Sequence, residues 1–180
     1  MSTYHLRQRL LRLARFDVGQ VEDTKNQAIW IKKLWPATTY GIEGYHDRAP
    51  YCAAGVAYVV KEWLLDEDVR AALGLTLPQA EKWRCKAASV KNDPDDNWLS
   101  WAAAAKGVEI LHRNCILHAG DLVIYMYSHI EIVTNDDGTE TGPFVAIGYN
   151  TNAAGSRDGE GCFEKPRSRD RVQCFIRLLQ

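Results

Sequence analysis

The sequence lacks an excess of charge of either sign. It contains 22 Lys and Arg residues against 23 Asp and Glu residues, so its formal net charge is −1 over 180 residues. A dedicated nucleic-acid-binding domain normally carries a basic excess, and we therefore expect no nucleic-acid partner. Apolar runs of about 20 residues, the length that spans a membrane, are missing as well. The length favours one globular domain without a membrane span.

Closely spaced cysteine pairs are also missing. The five cysteines are spread along the chain as Cys52, Cys85, Cys115, Cys162 and Cys174. An odd number of cysteines without short-range pairs is unlike a disulfide framework and predicts at least one free thiol. The absence of any Cys-x-x-Cys pair argues against a zinc ribbon.

The first residues lack the features of a secretory signal. They read MSTYHLRQRLLRLARFD, with four arginines among the leucines and no apolar core before a small-residue cleavage site. We expect the protein to be cytoplasmic on synthesis and to leave, if at all, by a route without a cleavable signal. The helical spacing of Leu6, Leu10 and Leu13 predicts an amphipathic helix here.

Helical patterns fill the first part of the chain and strand patterns the last. Residues 52–65 are apolar almost all the way round, which is typical of a helix at the centre of a domain. Strand-like runs cover residues 121–127, 129–134, 144–149 and 172–178. Helices followed by an antiparallel sheet predict an α+β fold, and no repeat or linker divides residues 1–180.

Cys52 is the first candidate for chemistry, because it stands at the first turn of the apolar helix. Unpaired backbone N–H groups and the positive end of the helix dipole favour the thiolate there, which is the nucleophilic form. The same N–H groups can hold an oxyanion. A small buried cysteine among alanines is also an ordinary core residue, so a nucleophile requires a base nearby.

His129 and Asn150 are the candidates to complete such a site. His129 begins a strand after Ser128, on the face expected to meet the central helix, where an imidazole can take the proton of the thiol. Asn150 ends the next strand, 21 residues further on. We expect it to orient the imidazole by accepting its other N–H. Each residue alone is common in a structural role, so the hypothesis depends on all three.

Several motifs resemble the CHAP family, the cysteine- and histidine-dependent amidohydrolases and peptidases. Residues 49–59, APYCAAGVAYV, are similar to its nucleophile helix. Residues 120–125 and 128–133 are similar to its Gly-Asp strand and its histidine strand. Residues 149–152, YNTN, followed by the glycine-rich run 155–161, are similar to its asparagine strand and loop. Order and spacing agree over about residues 14–178.

The resemblance implies a papain-like half-sandwich, with the cysteine helix packed on an antiparallel sheet. It implies Cys52 as nucleophile, His129 as general base and then acid, and Asn150 as the orienting group. The implied reaction is hydrolysis of amide bonds in bacterial peptidoglycan through a thioester acyl-enzyme. The bond lies within the stem peptide or cross-bridge, or at the muramoyl–alanine link.

The setting of such an enzyme is left open by the sequence. The substrate implied by the resemblance is peptidoglycan or a muropeptide, reached after release or delivery to the cell wall, and no cofactor is expected. A phage endolysin of this kind works with a holin, whereas a delivered toxin usually travels with an immunity protein. Neither alternative is favoured by a feature of the chain.

The chain departs from the family at Gly148, where many relatives have a glutamate two residues before the asparagine. Either Asn150 acts alone or another acid substitutes. Glu131 lies on the same strand face as His129, with its backbone about 6.6 Å away, and it either tunes the site or is a solvated rim residue. The missing acid also leaves a catalytically silent binding module possible, and the same Cys–His pair suits an acyl or peptidyl transferase.

Three residues near the nucleophile are candidates for the oxyanion hole or the cleft. Tyr45 and Asp47 lie in the loop that enters the cysteine helix. Tyr51 stands directly before Cys52, where the family usually has tryptophan. Gly55 replaces the usual phenylalanine and leaves room for another element to pack closely against the helix.

Two groups of residues have the chemistry of metal ligands. They are His112, Cys115 and His118, and Asp136, Asp137 and Glu140. The first group would need a fourth donor from elsewhere to hold zinc. The second could offer oxygens to calcium, but a polar hairpin tip is the simpler interpretation. We therefore predict no metal.

Overall fold

The computed structural model describes residues 2–85, 97–152 and 159–179. Helices precede a six-stranded antiparallel sheet, which confirms the predicted α+β class. The main hydrophobic core lies between the helices and one face of the sheet, and a smaller cluster of apolar residues covers the other face. In these ranges no helix is long and apolar enough to cross a membrane.

The bounds of the elements follow the chain in order. The helices are α1 (Thr3–Arg15), α2 (Ile29–Lys32), a 3₁₀ turn (Trp35–Ala37), α3 (Glu43–His46), α4 (Cys52–Leu64), α5 (Glu67–Leu73), α6 (Leu77–Lys82) and α7 (Trp98–Ala104). The strands are β1 (Glu109–His112), β2 (Leu122–Tyr125), β3 (His129–Asp136), β4 (Phe144–Thr151), β5 (Gly161–Arg167) and β6 (Val172–Arg177). The sheet order is β1-β6-β2-β3-β4-β5.

Helix α4 is the central helix, as its apolar pattern predicts. Ten of its 13 residues are buried. A Cβ atom on Gly55 would lie 2.0 Å from Cγ of Tyr149, so only glycine lets β4 approach this closely. The room expected at Gly55 is thus filled by Tyr149, and the contact brings the start of α4 to the ends of β3 and β4.

The four inner strands are predicted by the sequence and the two edge strands are not. The inner strands β6, β2, β3 and β4 are rich in buried apolar residues. Edge strands tolerate charge and proline because one side of their backbone is unpaired. The sequence of β5, GCFEKPR, has both, and β1 is mostly exposed. The hydrophobic pattern of the sequence therefore does not predict β1 and β5 as strands.

The N-terminal region contains less helix than predicted. Helix α1 buries Leu6 and Leu10, but Leu13, expected on the same face, is 37% exposed, and Leu11 is buried instead. The sequence also predicts a second helix that follows Asp23 or Thr24 and ends at Pro36, but only α2 and the 3₁₀ turn form in this segment. Pro36 is the second residue of this 3₁₀ turn. Proline is tolerated in the first turn of a helix but disrupts a helix that continues through it, so a longer helix does not run through this position.

Candidate active site

Helix α4 and strand β3 bring Cys52 and His129 together. Each is the first residue of its element. Cys52 is 7% exposed and His129 is 2% exposed, and each side chain shifts the pKa of the other. The structure therefore brings together the two residues that the sequence singled out as nucleophile and base.

A tight turn before β3 places His129. Ser128 has a left-handed backbone with φ 58°, a conformation that favours glycine, and the resembled family has glycine at this position. The ring of Tyr127 stacks on the imidazole at an interplanar angle of 19° and a centroid distance of 6.1 Å. Tyr125 packs on the imidazole as well, with centroids 5.7 Å apart. Both contacts restrict rotation of the His129 ring.

The electrostatics of the pair favour an ionised thiol. Burial by itself raises the pKa of Cys52, but the charge and hydrogen bond of His129, with backbone groups of Ala53 and Ile130, lower it below its ordinary value. Burial likewise opposes the charged imidazole, yet Cys52 and Glu131 raise the pKa of His129 to about 9. The geometry thus favours a thiolate–imidazolium pair, the nucleophilic form of such sites.

Glu131 supplies a carboxylate to the other side of the imidazole. Its Oε1 lies 3.1 Å from Nε2 of His129, and its Oε2 accepts a hydrogen bond of 2.7 Å from the hydroxyl of Tyr125. Its side chain is fully buried, so the alternative of a solvated rim residue is wrong. Burial raises the pKa of this carboxyl, but bonds from His129 and Arg167 overcome that effect and lower it to about 2.

Arg167 binds the same carboxylate from β5. Its Nε lies 2.7 Å from Oε2 of Glu131 and its Nη2 lies 2.5 Å from Oε1. Its side chain is 10% exposed, so solvent screens this two-pronged ion pair only weakly. Arg167 lies 36 residues after Glu131 on an edge strand and is not predicted from the sequence. No local pattern around His129 indicates it.

Gly148 stands at the position where the resemblance predicts a glutamate. It faces Glu131 directly across the β3–β4 pair. A Cβ atom on Gly148 would lie 2.2 Å from Oε1 of Glu131. The carboxylate of Glu131 thus fills the space that a side chain at position 148 would need, and the expected acid stands on the neighbouring strand.

Asn150 does not make the hydrogen bond predicted for it. Among the described residues its buried Oδ1 has no hydrogen-bond partner, whereas Nε2 of His129 is bonded to Glu131. Asn150 has a left-handed backbone with φ 55°, where the register between β4 and β5 shifts. Such irregularities redirect side chains from the normal alternation of a strand. The orienting contact expected from Asn150 is made by Glu131.

The remaining cleft candidates lie in different surroundings. Tyr51 is fully buried, and its hydroxyl donates to Oε1 of Glu22 at 2.9 Å. Tyr45 is half-buried and packs edge-on against His46. Asp47 is exposed at the end of α3. In the described part of the chain, neither Tyr45 nor Asp47 forms a hydrogen bond to Cys52 or His129. Their part in the oxyanion hole stays a prediction.

An open cleft of about 840 Å³ lies next to the segment that leads into α4. Pro50, two residues before Cys52, forms part of its lining together with Glu22, Asn26, Arg48 and Asn150. The lining carries both charge signs, and its side chains come from the loop before α2, the segment before α4 and the end of β4. Neither Cys52 nor His129 is among the described residues that line it.

The two histidines of the possible zinc group His112, Cys115 and His118 form hydrogen bonds with other residues. Nδ1 of His112 accepts the backbone N–H of Asn114 at 3.2 Å, and Nδ1 of His118 lies 2.8 Å from Nη1 of Arg7. Over residues 2–85, 97–152 and 159–179, no group of three or more His, Cys, Asp or Glu side chains is arranged to hold a metal ion.

The calcium alternative lies at the β3–β4 hairpin tip. There Oδ1 of Asp137 accepts hydrogen bonds from the backbone and hydroxyl of Thr139. The side chain of Asp136 lies outside the described residues, as do residues 153–158, which carry much of the glycine-rich run. The contacts of Asp137 fit the simpler interpretation, a polar hairpin tip.

Fold and site together define an α+β protein with a buried Cys–His–Glu arrangement at a helix N-terminus. No family model matches the chain, and no curated protein is detectably similar to it. The resemblance to the CHAP family therefore depends on the motifs alone and stays a prediction.

Proposed function

We propose that the protein is a cysteine amidohydrolase or endopeptidase that cleaves amide bonds of bacterial peptidoglycan. The observation that carries the proposal is the position of His129, whose pKa is coupled to the thiol of Cys52 and whose Nε2 lies 3.1 Å from the carboxylate of Glu131. A base held between a nucleophile and an orienting group is the common arrangement for covalent acyl transfer.

The first half of the reaction forms a thioester. The Cys52 thiolate attacks the amide carbon, and a C–S bond forms as the carbonyl π electrons move to oxygen. Backbone N–H groups at the start of α4 stabilise that oxyanion. When the C–N bond breaks, the imidazolium of His129 donates its proton to the leaving amine.

The second half returns the enzyme to its starting state. His129, now neutral, removes a proton from water, and the hydroxide attacks the thioester carbon. The C–S bond breaks, a carboxylic acid leaves, and the proton held by His129 restores the thiolate–imidazolium pair. Glu131 supports both halves because its negative charge stabilises the imidazolium and its oxygen fixes the ring.

The position of Glu131 also bears on the alternatives. A silent binding module was suggested by the absence of an acid at position 148, and Glu131 supplies an acid to the same imidazole. A transferase would use the same thioester and differ only in the acceptor, an amine in place of water. Peptidoglycan as the substrate is supported by the motifs around Cys52, His129 and Asn150.

Digestion of purified peptidoglycan tests the proposal. Wild-type protein should release muropeptides whose masses show a water molecule added at one kind of amide bond, and Cys52→Ala should lower the rate by about 10⁴-fold or more, because it removes the nucleophile. Cys115→Ala, a change of thiol remote from the site, should digest at the wild-type rate.

The products separate the proposal from its rivals. Masses in which an amine replaces water at the cleaved bond would show a transferase. If Cys52→Ala digests peptidoglycan at the native rate, the mechanism is wrong. If wild-type protein binds peptidoglycan without changing it, the silent module is the better description.

A further inference from the structure

The backbone around the cleft next to the segment before α4 is unusually constrained. Among the described residues, four that are not glycine have a left-handed backbone. Three of them, Asn26, Arg48 and Asn150, line this cleft with φ values of 57°, 53° and 55°, and the fourth directly precedes His129. Unfavourable backbone conformations persist where surrounding structure enforces them, and they cluster at ligand-binding sites.

Asn150 adds a second, independent feature to this cleft. Asn150 is 3% exposed, yet among the described residues its Oδ1 has no hydrogen-bond partner. Leaving a buried acceptor unpaired costs about 1–3 kcal/mol. Because Asn150 belongs to the lining of the cleft, a hydrogen-bond donor that binds there and reaches this oxygen would remove the cost.

Glu22, another residue of the lining, joins Tyr51 to one of the constrained residues. Its Oε1 accepts a hydrogen bond of 2.9 Å from the Tyr51 hydroxyl. Its Oε2 accepts the backbone N–H of Asn26 at 2.6 Å. One carboxylate therefore connects the residue before Cys52 with Asn26 at this side of the cleft.

We propose that the side-chain oxygen of Asn150 accepts a hydrogen bond from a peptide N–H of the substrate and so selects peptide segments in this cleft. The inference rests on the proposed function in taking the Cys52 thiolate as the reacting atom. It makes Asn150 a specificity-determining residue that touches the substrate, in place of the imidazole-orienting role expected from the sequence.

Covalent probes that differ in one N–H test the assignment without requiring cleavage of cell wall. N-acetyl-alanyl-alanyl chloromethyl ketone reacts with a thiolate by forming a C–S bond and releasing chloride. Two analogues carry an N-methyl group on the first or second alanine, and chloroacetone has the same reactive group without any N–H. The rate of labelling at Cys52 is measured by mass spectrometry for each probe.

The variants are Asn150→Gly, which tolerates the left-handed backbone but has no acceptor, and Asn150→Asp, which keeps one. Wild-type protein and Asn150→Asp should react about 10-fold faster with the unmethylated probe than with at least one analogue, the effect of one hydrogen bond. In Asn150→Gly this ratio should approach 1, while the chloroacetone rate stays unchanged. A double-mutant comparison of this kind isolates the pairwise contact.

Two results overturn the inference. One is a ratio of unmethylated to N-methylated labelling rates in Asn150→Gly that equals the wild-type ratio. A wild-type ratio near 1 would overturn the inference equally. The other is a chloroacetone rate that falls together with the peptide rates in Asn150→Gly, because Asn150 would then act through His129. Normal probe selectivity with undigested peptidoglycan would instead overturn the proposed function and leave Asn150 as a peptide contact.

Discussion

Two buried carboxylates in this protein each accept two hydrogen bonds from an arginine, and only one of the two carboxylates belongs to the candidate active site. Arg167 binds Glu131 with distances of 2.7 and 2.5 Å. Arg177 binds Asp121 with distances of 3.1 and 2.7 Å. Both carboxylates are fully buried, so burial and ion pairing alone do not distinguish a functional pair from a structural one.

The difference lies in the third partner of each carboxylate. Oε1 of Glu131 faces the imidazole of His129, a group that can gain and lose a proton. Oδ2 of Asp121 accepts the backbone N–H of His118 at 2.8 Å and closes a turn before β2. The Asp121–Arg177 pair therefore fixes a turn of the backbone, whereas the Glu131–Arg167 pair fixes the titrating side chain of His129.

Among changes to the two ion pairs, the largest effect on chemistry is expected from Glu131→Gln. This change keeps the shape of the side chain but removes the charge that stabilises the imidazolium, so the rate of peptidoglycan cleavage should fall by about 100-fold or more. The cleavage assay with purified peptidoglycan measures it. The matched variant Asp121→Asn should lower the free energy of unfolding by about 3 kcal/mol, because the partly buried Arg177 loses its counter-charge.

The control is the activity of Asp121→Asn. Measured on folded protein at a temperature well below its unfolding transition, this variant should cleave at the wild-type rate. Equal losses of activity in both variants would contradict the distinction between the two carboxylates.

A smaller effect on activity is expected from Arg167→Gln. Glu131 then loses its bonds to the guanidinium, and the pKa of its carboxyl rises from about 2. In the wild type a lowered carboxyl pKa stabilises the fold fully above the ordinary value of 4.5, and this contribution is lost as the pH falls through about 2. Acid unfolding of Arg167→Gln should therefore begin at a higher pH, with activity at neutral pH about 10-fold lower.

Arg177→Gln is the counterpart in the structural pair. It should lose stability to a similar extent and keep the reactivity of the Cys52 thiol. Circular dichroism as a function of pH, combined with cleavage rates at pH 7, separates the two variants. An Arg167→Gln protein with full activity would mean that Arg167 is not needed to keep the Glu131 carboxylate at His129.

The sequence predicts the parts of the site that depend on local patterns. Cys52 begins a helix whose apolar residues point all round, and His129 begins a strand after a break, so both positions follow from hydrophobic periodicity. The position of Glu131 is only partly predictable. The repeat of a strand puts it on the face of His129, but a flexible side chain decides whether it turns back to the ring.

The rest of the site depends on pairing between strands. Glu131 reaches its position because Gly148 stands opposite and leaves the space free. Arg167 joins it from β5, an edge strand whose charges and proline hide it from pattern-based prediction. The backbone irregularity that leaves Asn150 without a partner is equally a property of register. Such features require knowledge of which strands are neighbours.

The pH dependence of the site follows from the directions of its pKa shifts. The pKa of His129 is raised to about 9 from its ordinary value of 6.5. Its contribution to stability is therefore complete below about 6.5 and is lost as the pH rises through about 9. Cleavage should fall over the same range, because the leaving amine requires a proton from the imidazolium.

The most direct test of the central claim is the rate of Cys52 alkylation by iodoacetamide as a function of pH, followed by mass spectrometry of the labelled peptide. Cys174, whose pKa burial raises to about 11, serves as an internal reference. A thiolate paired with His129 predicts rapid labelling of Cys52 near neutral pH, with a midpoint below the ordinary thiol value of 9 that moves upward in Glu131→Gln and not in Asp121→Asn. Labelling of Cys52 with a midpoint at or above 9, unchanged by Glu131→Gln, would contradict the account.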